Sequence, residues 1–242
     1  MIKKRLLLAN IMGLMWLVIL STTSQGLARD KPWQYEVTVT NLTQGQPLTP
    51  AVVVTHKSNF SPLFIEGKPS GPELTAIAED ADVAPMVQAL SGDPNVGDVV
   101  VLQGSAPLPL SPQGPGGFAI KPGESAAVLV TFNRWTKFVS LVGMLANTND
   151  AFYALKGVAG PSEGTVTYDA VAWDAGSEAN NEACQFVPGP ACGHFFVRAT
   201  QGAEGFVYVH SGIHGVGDLV PARHDWRHPI AKITIRRLPR DD

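Results

Sequence analysis

Apolar and polar residues alternate one by one along Tyr35-Glu36-Val37-Thr38-Val39-Thr40. That is the period of a strand with one buried face, and it assigns Tyr35, Val37 and Val39 to a core. Residues 51–55, 99–103, 125–132, 138–145, 165–173, 195–199, 206–209 and 230–236 read as further strands. They are short, rich in β-branched and aromatic residues, and separated by turn formers. One stretch changes period. Pro72 suits a first helical turn, and Leu74, Ile77 and Ala78 recur at helical spacing. Asp82 is placed to cap a second short helix carrying Val83, Met86, Val87 and Leu90.

With 24 glycines and 19 prolines among short apolar runs, the chain reads as all-β. The expected architecture is a two-sheet antiparallel β-sandwich with a short helical insertion, its loops gathered at the ends where strands reverse. Nothing repeats internally. Residues 104–123 are dominated by proline, glycine and serine, but strand-like sequence resumes at once, so they read as a long connection within one domain.

The first 28 residues are of a different kind. Lys3, Lys4 and Arg5 precede an apolar run over 6–20, and small residues lead to a cut expected after Ala28. This is the make-up of a secretory signal peptide, its apolar run short of the roughly 20 residues that span a bilayer. The expectation is a protein exported to the periplasm or outside the cell, consisting of one domain over residues 29–242 with no later transmembrane segment. Losing those three cations shifts the formal net charge from −3 to −6. An acidic balance argues against general nucleic-acid binding, which relies on clustered cations. Only residues 232–240 are locally basic, and the alternation there reads as a strand whose polar face carries cations. Cys184 and Cys192, an even pair in an oxidising compartment, are expected to form one disulfide.

Chemistry concentrates in Trp173-Asp174-Ala175-Gly176-Ser177-Glu178-Ala179-Asn180-Asn181-Glu182, with Asn147-Thr148-Asn149-Asp150 upstream. Carboxylate and amide oxygens around a turn-forming glycine suit calcium, which takes six to eight oxygens in a flexible shell. A solvated polar turn is the plainer reading of such a stretch. Asp-Ala-Gly-Ser-Glu after Tyr-Asp-Ala-Val-Ala-Trp resembles the signature of the spondin N-terminal domain family. Ser140-Leu141-Val142-Gly143-Met144 followed by Thr148-Asn149-Asp150-Ala151-Phe152 is similar to a second segment of that family. The resemblance covers residues 33–238, with its specific motifs between Ser140 and Glu178. It implies a C2-like β-sandwich with calcium at one end, held by Asp150, Asp174 and Glu178. Glu178 stands where the animal proteins have aspartate, and Ala151 where they have tryptophan. Asn149, Asn180 and Glu182 are candidates for the remaining oxygens.

Four histidines, His210, His214, His224 and His228, fall late in the chain. His210, His214 and His56 would form a second metal site if their three loops met. Otherwise they order a glycine-rich loop by bonding its backbone. Ser211 lacks the glycine-flanked elbow of a hydrolase nucleophile. The resulting expectation is an exported, non-enzymatic, calcium-binding module with an extracellular binding or adhesion role and a protein or glycan partner. The alternative is an exported hydrolase acting on a polysaccharide, with calcium purely structural.

Overall fold

A computed structural model of the chain describes residues 31–107 and 118–240. The expected signal peptide over residues 1–28 lies outside them. Sheet A has four antiparallel strands in the order β6(Ser125–Phe132), β1(Trp33–Asn41), β12(Ala231–Arg237), β9(Thr165–Ala170). Sheet B has six, in the order β11(Tyr208–Val209), β10(Ala172–Asp174), β8(Ala151–Ala159), β7(Phe138–Leu145), β2(Leu48–His56), β3(Val96–Leu102). A two-stranded flap pairs β4(Ala106–Pro107) with β5(Phe118–Ala119) at the borders of the proline-rich connection. The chain is an all-β sandwich.

Alternation in β1 does what its sequence requires. Tyr35, Val37 and Val39 are buried and pack with Val130, Phe132, Ile233 and Ile235 against the inner face of sheet B, at Val53, Leu141 and Tyr153. β2 does not alternate because both of its faces are covered. Its outer Val52 and Val54 join Val142, Phe152 and Ala154 beneath a helical layer. That layer is α1(Pro72–Asp80), with proline in its first turn, and α2(Ala84–Ser91), which contribute Leu74, Ile77, Ala78, Met86 and Leu90. Asp82, the predicted cap, lies one position before the observed one, Val83: its carboxylate accepts the Ala84 N–H, 3.0 Å away, across a turn leading into α2.

Three strand assignments need correction. The stretch 165–173 is two strands in different sheets: β9 pairs with β12, whereas β10 pairs with β8. The chain crosses the sandwich between Ala170 and Ala172. Residues 195–199 run as a loop, with Phe196 and Val197 exposed. β8, starting directly after Asp150, was not expected from the pattern at all. The Cys184–Cys192 disulfide is formed, with the Cα atoms 5.0 Å apart. Among the described residues, no helix is long and apolar enough to cross a membrane.

Candidate functional site

Asp150 closes the β7–β8 turn, and Asp174 ends β10 opposite Ala151, so neighbouring strands bring the two carboxylates to one end of sheet B. Thr148 builds the turn: its hydroxyl donates to the Leu145 carbonyl at 2.7 Å and accepts the Ala151 N–H at 3.1 Å. Beyond β10, Asp174 Oδ1 accepts the Gly176 N–H at 2.7 Å, curling the chain back. Gly176 has φ +66°, and a Cβ there would lie 2.3 Å from the Phe206 carbonyl oxygen, so only glycine fits. The returning backbone then delivers the N–H groups of Ser177 and Glu178 to Asp150 Oδ2 at 2.8 and 2.9 Å, with the Ser177 hydroxyl at 3.1 Å.

Both carboxylates are fully buried. Burial and the Asp174 charge hold the Asp150 carboxyl well above the usual range. Burial pushes Asp174 up to about 6, against hydrogen bonds from Asn180 and Gly176 that favour its charge. Glu178 is pushed up to about 8, again mainly by burial. One Glu178 oxygen accepts the Ala199 N–H at 2.7 Å, and the side chain lies in the field of Glu79, Asp80 and Arg198. Asp150 Oδ1 and Glu178 Oε2 are buried with no hydrogen-bond partner. These two carboxylates have desolvated oxygens that no described residue satisfies, an arrangement that costs stability unless a proton or a cation takes the place.

The other predicted ligands are engaged in holding the loops. Asn180 donates to Asp174 Oδ2 at 2.5 Å and to the Tyr208 hydroxyl at 3.0 Å, and its carbonyl oxygen meets His210 Nε2 at 2.9 Å. Asn149 accepts the Glu182 N–H and donates to Asn181. Glu182 is buried and saturated: it accepts the N–H groups of His214, Gly215 and Val216 at 2.5, 2.6 and 3.0 Å. It staples the glycine-rich loop to the acidic one.

The second metal site does not assemble. His56 ends β2 beside Phe138, at the opposite end of sheet B from Leu48 and Leu145, while His210 lies level with Ala172 beyond β10. His210 uses both ring nitrogens, accepting from Gly212 and donating to Asn180, and burial lowers it to about 4. His214 meets the Ser211 hydroxyl. Among the described residues, no three His, Cys, Asp or Glu side chains are grouped so as to hold a metal ion, and this includes Asp150, Asp174 and Glu178 as they stand.

Two constellations escaped the sequence reading. Glu79 and Asp80 end α1, where acidic groups oppose the helix dipole, and Arg198 from the loop over residues 195–199 pairs with both. At the far end of sheet B, His56 Nε2 lies 2.9 Å from Ser140 Oγ. The Lys57 carbonyl, 2.8 Å from His56 Nδ1, can only accept, which fixes the tautomer and leaves Nε2 to receive the Ser140 proton. Periodicity cannot reveal either group, since each joins residues more than 80 positions apart. No protein-family model matches the chain, and no curated protein matches it.

Proposed function

We propose that the protein is an exported, non-enzymatic binding module of the spondin N-terminal type, whose acidic end takes up calcium at Asp150, Asp174 and Glu178. The reading is carried by the two partnerless buried oxygens, Asp150 Oδ1 and Glu178 Oε2. A hard cation at Asp150 and Asp174 would satisfy Asp150 Oδ1, would satisfy Glu178 Oε2 once that side chain turns toward them, and would then offset the desolvation that raises all three carboxyls. Asp150 and Asp174 are the strand-end pair. Glu178, reached through the Gly176 turn, would complete the charge balance once its side chain joins them. Calcium rather than magnesium suits this set, because loop-borne carboxylates and carbonyls fit a large, adaptable shell better than a strict octahedron. The bound ion would fix the acidic loop and present that end of the sandwich to an extracellular protein or glycan.

Uptake by the folded state alone raises the thermal midpoint as calcium is added. Asp174→Asn and Asp150→Asn should each abolish most of that rise, while Asp169→Asn, on the exposed face of β9, leaves it intact. A midpoint indifferent to calcium in the metal-stripped protein would remove the reading.

One observation favours the hydrolytic alternative: the His56–Ser140 pair lines a pocket of about 270 Å³ with Phe60, Leu63 and Phe138. A serine hydrogen-bonded to a histidine of fixed tautomer is the pairing that activates a nucleophile. A fluorophosphonate probe should label Ser140, and not the His56→Gln variant, if the pair works this way. An unlabelled wild-type protein leaves it a structural hydrogen bond.

A further inference from the structure

Among the described residues, the end of the sandwich away from the acidic loops carries the opposite charge. There the registers Trp33–Phe132 and Tyr35–Arg237 bring together the start of β1, the end of β6 and the end of β12, and the lining of one cavity joins them to Lys137 and Ala159 of the facing sheet, where β7 starts and β8 ends. They surround a cavity of about 540 Å³ bordered by Lys31, Arg134, Lys137, Arg237 and Arg240, and among the described residues no Asp or Glu lines it. None of these five cations is in an ion pair with a described residue, whereas Lys156, Arg198, Arg227 and Arg236 all are. The floor is rigid, with the Tyr35 and Phe132 rings stacked 4.3 Å apart.

Trp33 organises the cations. The guanidinium carbons of Arg237 and Arg240 lie 3.1 and 3.3 Å from its ring centroid. Two guanidiniums cannot share one face at that range, so they sandwich the indole. Stacking on an aromatic face orients a guanidinium without neutralising it. Arg240 spends one donor on the Lys31 carbonyl, 2.7 Å away, which fixes the stack further. The remaining N–H edges are held in place and still charged, which is the preorganisation that carboxylate or sulfate oxygens require.

We propose that this basic end binds an anionic polysaccharide through its sulfate or carboxylate groups. Trp33 has both faces covered, so it offers no platform for base stacking. The site is independent of the calcium reading, since it uses none of the same residues and lies at the other end of the strands.

The test is retention on immobilised dextran sulfate, and separately on alginate, which carries carboxylates, with uncharged dextran as the blank. Wild-type protein should bind a charged matrix at low salt and elute as salt rises, unchanged by a calcium chelator. The double variant Arg134→Ala, Lys137→Ala should bind about tenfold more weakly, a factor worth about 1.4 kcal/mol. Lys232→Ala, which removes an exposed cation from the outer face of β12, should bind like wild type. Arg237→Lys keeps the charge but loses the planar stack, and should weaken binding too. No retention of wild type on either matrix, equal loss in Lys232→Ala, or tighter capture by single-stranded DNA than by both glycans would each overturn the proposal. Loss of retention on chelation would instead place the binding at the acidic end.

Discussion

Asp150 and Glu178 each hold one carboxylate oxygen in hydrogen bonds and the other in none, and at this scale the acidic end is out of balance. His56 is a contrasting case. Both of its nitrogens are satisfied, by Lys57 and Ser140, and burial lowers its pKa. A depressed histidine binds fewer protons folded than unfolded, so its contribution is present above the unfolded value, about 6.5, and is lost as pH falls toward the folded one. The stability advantage of wild type over His56→Gln should therefore narrow between about pH 7 and about pH 5, read from urea midpoints. An advantage that widens on acidification would mean that the ring is charged in the native state.

Among the elements, the loops matter more than the strands. Glu182 takes three backbone N–H groups of residues 214–216, and Asp218 accepts the Cys184 N–H at 2.7 Å, so the acidic segment, the disulfide loop and the glycine-rich segment form one unit. Glu182→Ala leaves three loop donors without their acceptor and should lower stability by about 2–4 kcal/mol in denaturant unfolding. A loss under about 0.5 kcal/mol, the range of an ordinary surface change, would show that the loop holds without the staple. Glu182 was nominated from sequence as a ligand because its residue type and position suit one. Its use as a backbone acceptor depends on a loop 32 residues away. The same limit governs the strands. β1 was legible because one face is wet and one dry, and the helices because Leu74, Ile77 and Ala78 keep a helical period. β8 was missed because its first half, Ala151–Leu155, is buried on both faces, which erases alternation. β9 and β10 merged because a strand that changes sheets keeps its apolar content throughout.

At the scale of the molecule, the sandwich separates its charge. Buried acids gather where β7, β8 and β10 turn, and cations without an ion-pair partner among the described residues gather at the opposite end of the strands around Trp33. The acidic end was legible as a motif because Asp174, Gly176 and Glu178 lie within five residues. The basic end was not, because Lys31 and Arg240 meet only after the first and last strands pair. Of the two, the acidic end carries the proposed function. The direct measurement is titration calorimetry of calcium into metal-stripped protein, run in parallel on wild type and Asp174→Asn. Saturable uptake by wild type at close to one ion per chain, with uptake by the variant at least about tenfold weaker, is the expected result. No heat of binding in wild type, or equal uptake by the variant, would contradict it.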